Sequence, residues 1–259
     1  MKEAIRSFLD TSAKYLFTVQ EPKVIVKWAQ SQHEIMLAQM LRYEVFTQEY
    51  RADIKSNIGC DIDGFDAYCK HLIAVELSTG RVVGTYRVLL PEDARRVGQL
   101  YIETEFNIAK LSPIRHDLIE LGRSCVALDC RDGMVIKMLW NALAEFLSTR
   151  NERFLIGCVS VPMFDGGHYA ASIFSNLKKN AKLENRHQVS SLGTFSFSEL
   201  HNQCEVVLPA LMRSYLKLGA RVMGEPFYDK QFHCADFPMI VEAVALERKY
   251  GRARRRYVA

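Results

Sequence analysis

The stretch Asp117-Leu-Ile-Glu-Leu-Gly-Arg-Ser-Cys-Val126 carries an acid, Glu120, and a cation, Arg123, at the end of an apolar run. The run predicts a buried strand over 118–127. An ionised group on such a strand is costly unless it is paired or used. The segment is therefore either a structural ion pair or a chemical centre.

The neighbouring segments place this strand in a sheet. Residues 71–77 and 82–90 read as strands joined by the turn Ser78-Thr-Gly80, a hairpin. The run 154–161 reads as another buried strand, 23–29 alternates like a strand, and 221–224 and 239–245 follow as two more. Apolar spacing predicts helices over 2–17, 32–49, 133–150, 169–182 and 208–218, the last ended by Gly219. The implied class is α/β or α+β, with one mixed, mostly antiparallel sheet flanked by helices. The expected organisation is an N-terminal helical extension over 1–22, one domain over 23–247 and a basic tail over 248–259. There is no internal repeat, no P-loop and no GxGxxG, which argues against a nucleotide-binding Rossmann fold.

Composition narrows the function classes. The 259 residues, 49% of them apolar, suffice for a substantial core. No apolar run approaches the roughly 20 residues a bilayer span needs, and the first ten residues lack the apolar core of a secretory signal. The seven cysteines are scattered without a CxxC, and the histidines lack metal-ligand spacing. The expectation is a cytoplasmic protein with reduced thiols and no metal. Six of the 34 basic residues lie in 248–257, leaving 28 against 30 acids in the body. That terminus is either a solvated tail or a foothold on an anionic membrane at its inner face. A nucleic-acid partner is not expected, because the body has no basic stripe interleaved with aromatics.

Six segments in order resemble the GNAT-like N-acyltransferases that use acyl carrier protein thioesters. They are Arg42-Tyr-Glu-Val-Phe46, Asp61-Ile-Asp-Gly-Phe-Asp66, His71-Leu, Val83-Gly-Thr-Tyr-Arg-Val-Leu-Leu90, Glu103-Thr-Glu-Phe106 and Glu120-Leu-Gly-Arg-Ser-Cys-Val126. The chain is most similar to the ornithine N-acyltransferases of ornithine-lipid synthesis. It also resembles N-acyl amino acid synthases and acyl-homoserine-lactone synthases. The segment 209–220, with Asp229 and Asp236, fits the ornithine type, and the chain lacks the tryptophan expected after the Arg42/Phe46 helix in lactone synthases. The resemblance implies transfer of a (3-hydroxy) fatty acyl group from acyl carrier protein to the α-amine of ornithine, without a bound cofactor. The alternatives are an N-acyl amino acid synthase with another acceptor, or a non-catalytic acyl- or carrier-binding protein.

The resemblance also implies a gap between two splayed parallel strands, here 118–127 and 154–161, that admits the acyl-pantetheine arm. Backbone amides near Cys125, Val126 and Ala127 are then candidate oxyanion donors, with Ser160 a polar neighbour of the thioester. Glu120 is the candidate base or amine-orienting group, with Arg123 positioning it or the loop acids; the structural alternative pairs Glu120 with Arg123 or Arg42. Asp61, Asp63 and Asp66 are expected to pair with Arg42 and Arg87 or to attract a dibasic amino acid such as ornithine, two roles that are compatible. They do not form an EF-hand, because the twelfth position is Leu72. The turn Cys130-Arg-Asp-Gly133 is a poor pyrophosphate cradle, although Arg131 and the helix start at Gly133 can reach a single phosphate. Lys178, Lys179, Lys182 and Arg186 are either a docking patch for an acidic carrier protein or a solvated helix face. Phe106, Leu139, Trp140, Phe164 and Phe174 are candidates for an acyl slot.

Overall fold

The computed structural model describes residues 24–200 and 205–251, and the expected helix over 2–17 lies outside them. Strands β1 (Val24–Trp28), β2 (Lys70–Glu76), β3 (Val82–Leu89), β5 (Leu118–Val126), β6 (Phe154–Pro162), β8 (Arg221–Val222), β9 (Phe227–Asp229) and β10 (Cys234–Glu242) form one sheet. Its order is β1-β2-β3-β5-β6-β10-β8, with β9 also on β10. The short strands β4 (Phe106–Asn107) and β7 (Ser190–Ser191) pair separately. Helices are α1 (Gln32–Tyr50), α2 (Pro91–Val97), α3 (Met134–Leu147), α4 (His168–Lys179), α5 (Ala210–Lys217) and α6 (Ala243–Tyr250). This is the mixed, mostly antiparallel sheet flanked by helices that the sequence predicts.

Burial explains the continuous apolar runs. All eight residues of β3 are buried. Helix α3 covers one face, packing Val135 and Leu139 over Gly84, where an added Cβ would lie 2.7 Å from Val135. On the other face Arg87 meets the acidic loop after α1. Ser31 caps α1 by accepting from the Glu34 N–H, and the Glu34 carboxylate accepts from the Gln30 N–H. That cap fixes where α1 begins and so which side chains, Arg42 and Phe46 among them, face inward.

Every strand pair is antiparallel except β5 with β6. Their parallel register covers only Leu118–Phe154, Ile119–Leu155 and Glu120–Ile156. Beyond Glu120 the two strands diverge, as the expected splay requires. Two features shape the gap, one bending β5 away and one letting the strands stay close at its narrow end. On β5, Arg123 and Ser124 together oppose the single Tyr86 of β3, a bulge that bends the strand, and Arg123 has φ +47°. The neighbouring Gly122 is not in the left-handed region; it is the arginine that takes this conformation. Such a residue costs about 1–3 kcal/mol, offset by the ion pairs described below. On β6, Gly157 sits where a Cβ would come within 2.2 Å of the Leu121 carbonyl oxygen. Gly157→Ala should therefore destabilise the protein by about 1–3 kcal/mol and displace the open end of the gap. Chemical denaturation and turnover measured together check this, and a neutral alanine would show that the junction tolerates a side chain.

The strand expected over 239–245 instead runs Cys234–Glu242, and Ala243 begins α6. Pro238 made the earlier residues look like loop. Its carbonyl accepts from Met223, away from β6, so the missing N–H faces the same way and leaves the β6 ladder intact. The helix expected to reach 182 ends at Lys179, before Ala181 turns left-handed at φ +52°. The tail boundary expected at 248 falls inside α6, whose Tyr250 ring packs on Trp140 at 5.2 Å, and residues 252–259 lie outside the described ones. Among the described residues no helix is long and apolar enough to cross a membrane, and the six described cysteines are unbridged.

Candidate active site

A cavity of about 620 Å³ fills the gap between β5 and β6. One wall is β5 from Glu120 to Val126; the other carries Gly157, Cys158 and Ser160 of β6 with Asp236 of β10. Tyr86, Trp140, Tyr215 and Tyr250 line its aromatic end. There the Trp140 Nε1–H donates to the Tyr86 hydroxyl at 3.1 Å, and the Tyr86 and Tyr215 hydroxyls share a 2.6 Å hydrogen bond. Of the side chains expected to form an acyl slot only Trp140 lines the cavity. Phe106 and Leu139 are core, Phe174 packs at the edge of a second core cluster, and Phe164 is exposed beneath Arg51.

Glu120 occupies the last paired position before the gap. Its carboxylate pairs with neither Arg123 nor Arg42. It accepts the Tyr101 N–H at 2.6 Å and the Ile102 N–H at 2.7 Å, the first amides of the turn Tyr101–Thr104. Those bonds favour the charged form, but burial outweighs them and raises its pKa to about 7. The side chain thus anchors the turn, borders the cavity and titrates near neutrality.

Arg42, Asp61, Asp63, Asp66, Arg87 and Arg123 form one ion-pair network. The Arg42 guanidinium is fully buried and donates to Asp61 and Asp66, each at 2.8 Å. Arg87 holds Asp63 at 2.6 Å and Asp66 at 3.2 Å. Arg123 lies 3.1 Å from Asp61 and 3.2 Å from Asp63. The loop acids are thus ion-paired, one of the two readings that the sequence offered for them. None of the three lines the cavity, and each faces a guanidinium. The Arg42 pairing also lowers Asp66 to about 2 against the opposing effect of burial. Arg123 and Arg87 do border the cavity, and Arg123 stacks over the rings of Tyr101 at 5.0 Å and Phe232 at 4.8 Å. Phe46 borders it too, edge-on to Phe232.

The three amides proposed for the oxyanion are not equivalent. The Ala127 N–H donates to the Val83 carbonyl at 2.9 Å and is not available. In an antiparallel ladder bonded and non-bonded pairs alternate. The Cys125 amide, opposite Thr85, therefore also faces β3, whereas Val126, opposite Gly84, turns its N–H and carbonyl toward the gap. The Val126 carbonyl there accepts from Arg131 Nε at 3.1 Å. Arg131 is further held by Glu49 at 2.8 Å. Gly133, at φ +90°, precedes α3, and the first helical N–H, that of Met134, is taken by Asp132 at 2.7 Å. An acid thus takes up the first free N–H of α3.

Ser160 Oγ lies 2.5 Å from the Asp236 carboxylate inside the cavity. Lys178, Lys179, Lys182 and Arg186 are exposed at and beyond the end of α4 and do not border the cavity. The first two also suit the negative end of the helix dipole. Sequence reasoning missed Gly157, Tyr101 and Glu105. Glu105 lay within a quoted motif, but nothing in its spacing announced that it would meet Asp229 and Asp236, 124 and 131 positions later.

Residues 41–141 match the acetyltransferase (GNAT) domain family. The L-ornithine N(alpha)-acyltransferase of Rhodobacter capsulatus is 28% identical over 246 residues, covering 87% of this chain and 92% of that protein. The enzyme of the same name from Rhizobium meliloti is 29% identical over 246 residues, covering 86% and 81%. A solved CoA-dependent acyl-homoserine lactone synthase, BjaI, with MTA superposes with a TM-score of 0.53 at 14% identity, covering 89% of this chain and 91% of that one. This last likeness concerns the fold. With its diverging parallel strands, its cavity and relatives of this kind along most of its length, the chain has the GNAT-like acyltransferase fold and is similar to the L-ornithine N(alpha)-acyltransferases.

Proposed function

We propose that the protein moves a fatty acyl group, 3-hydroxylated in the ornithine-lipid case, from acyl carrier protein to the α-amine of L-ornithine, giving a lyso-ornithine lipid. One observation carries this reading. A single cavity holds the open strand pair, an acid that titrates near neutrality and a wall of further acids suited to a cationic acceptor.

The transfer is direct. The thioester lies in the gap with its carbonyl oxygen toward the Val126 N–H. Glu120 takes one proton from the acceptor ammonium, because the ammonium form is not nucleophilic. The free nitrogen attacks the carbonyl carbon, a C–N bond forms and the C–S bond breaks. The second proton of the nitrogen leaves with the sulfur as pantetheine thiol. Arg123, tied to Asp61 and Asp63, positions the bulge that presents Val126 and has no step in the proton transfer. The carrier protein is favoured over coenzyme A as donor by the Asp132 carboxylate at the start of α3, since a carrier-bound pantetheine arm brings a single phosphate there and the coenzyme brings a more highly charged pyrophosphate. The exposed patch of Lys178, Lys179, Lys182 and Arg186 is the carrier's docking surface in this scheme. The basic tail adds contact with anionic lipid on the cytoplasmic face.

Purified protein incubated with acyl carrier protein or coenzyme A bearing the same acyl group, and with a panel of amino acids, tests the scheme by mass spectrometry. The expected product is Nα-acylornithine, formed with the carrier donor. Equal turnover with the coenzyme would replace the donor assignment. A preferred acceptor other than ornithine would make the protein an N-acyl amino acid synthase of different specificity.

A further inference from the structure

Two clusters of three acids stand among the described residues, and they differ in one respect. Asp61, Asp63 and Asp66 are each ion-paired to arginine. Glu105, Asp229 and Asp236 have no ion pair among the described residues, yet one carboxylate oxygen of each lies within 4.8 Å of the others. Glu105 follows the turn anchored by Glu120, Asp229 ends β9 and Asp236 lies in β10, so three distant segments converge. All three border the cavity.

Their hydrogen bonds are unevenly shared. Asp229 accepts the N–H groups of Gln231 and Phe232 at 2.8 and 3.1 Å. Asp236 is reached by the Ser160 hydroxyl and, at 3.6 Å, by the Cys234 thiol. Glu105 is 4% exposed, and among the described residues its carboxyl has as partner only the weak thiol donor of Cys158 at 3.7 Å. A carboxyl so deeply buried, bordering a cavity without an N–H or O–H partner, is short of a donor from the cavity side. Burial and the mutual repulsion of the acids push Asp236 up to about 6 and Glu105 well above the carboxylate range. Arg123 acts on both from a distance and does not contact either.

A primary ammonium offers three N–H donors. At charge-assisted bond lengths near 2.8 Å its three acceptors stand about 4.6 Å apart, which fits the spacing of the cluster. Such a cage stabilises the protonated amine. It is therefore the wrong place for the nitrogen that must lose its proton and attack, and the right place for a second amine that must not. We infer that Glu105, Asp229 and Asp236 seat the side-chain ammonium of a diamino acid, holding that nitrogen charged and unreactive while the α-amine is turned toward the thioester. This deepens the proposed transfer to ornithine and rests on it. It assigns selectivity for the α-nitrogen to a cluster that plays no part in the proton transfer itself.

The test compares ornithine with norvaline, which has the same carbon skeleton without the second amine. Donor-free calorimetry and steady-state kinetics are run on the parent, Glu105→Gln and Asp236→Asn. The parent should bind ornithine in preference to norvaline, and each variant should reduce that preference roughly 10- to 100-fold, the worth of a charged hydrogen bond, through KM more than kcat. Variants that keep the preference, or that lose both acceptors equally, overturn the assignment. A divalent ion is the competing occupant. Thermal stabilisation by Mg²⁺, Mn²⁺ or Ca²⁺ that Glu105→Gln abolishes, with ornithine preference intact, would assign the cluster to a metal and overturn the seat. A parent that binds ornithine selectively but acylates no amine would sink the proposed reaction and leave the seat standing.

Discussion

Glu120→Gln should lower kcat by about 10²- to 10⁴-fold, the range lost with a general base, while the protein stays folded. The substitution is nearly isosteric. A glutamine oxygen can still accept one of the two amides, from Tyr101 or Ile102, that the carboxylate now holds. The turn therefore keeps part of its anchor, and circular dichroism and the thermal midpoint should stay close to those of the parent. The pH profile separates chemistry from architecture. Burial raises Glu120 to about 7, and a base works only when ionised. For the parent, kcat/KM should then rise with pH up to about 7 and level off above it. The glutamine variant should lack that inflection, because its side chain does not titrate. Full turnover in the variant would remove Glu120 from the reaction and leave it as the anchor of the turn. An inflection surviving at the same pH would transfer the role to another acid, and Asp236, pushed up to about 6, stands next in the cavity.

The sheet was legible in the sequence because its strands are apolar and its hairpin has a clear turn. The elements at 70–76, 82–89, 118–126 and 154–162 were found almost to the residue. What escaped was set by tertiary contact. Pro238 hid half of β10, since nothing local reveals that its missing N–H faces away from β6. Gly157 looked like one more small residue in a buried strand until Leu121 stood beside it. Arg123 has a conformation that composition would have given to Gly122. Within the site, the residues that share a motif were gathered correctly, because a strand and its adjacent loop carry them. Glu105, Asp229 and Asp236 come from segments whose meeting depends on β9 folding back onto β10. The loop acids drew attention as a cation seat because they are close in sequence. The structure shows that closeness serving Arg42, Arg87 and Arg123.

Arg42→Met should destabilise the fold by about 3–5 kcal/mol, the cost of leaving a buried charge without its partner. Arg42 is fully buried and holds two carboxylates, so its removal leaves buried Asp61 and Asp66 with one guanidinium each, Arg123 and Arg87. The loss should depend on pH in a defined direction. In the parent, Asp66 titrates near 2, below its ordinary 3.8. Its contribution is therefore complete above about 4 and is lost as pH falls toward 2. Without Arg42 burial acts on Asp66 with less opposition and its pKa rises, so the variant gains stability as pH falls and the acid protonates. The two stability curves should converge between pH 7 and pH 3, which urea unfolding at several pH values can follow. A gap that stays constant with pH would mean that lost packing, and not the lost ion pairs, accounts for the effect. The same variant bears on the acceptor. If the loop acids only complete the fold, the fraction that remains native should bind ornithine with an unchanged KM. A raised KM at full occupancy of the native state would return Asp61 and Asp66 to the substrate.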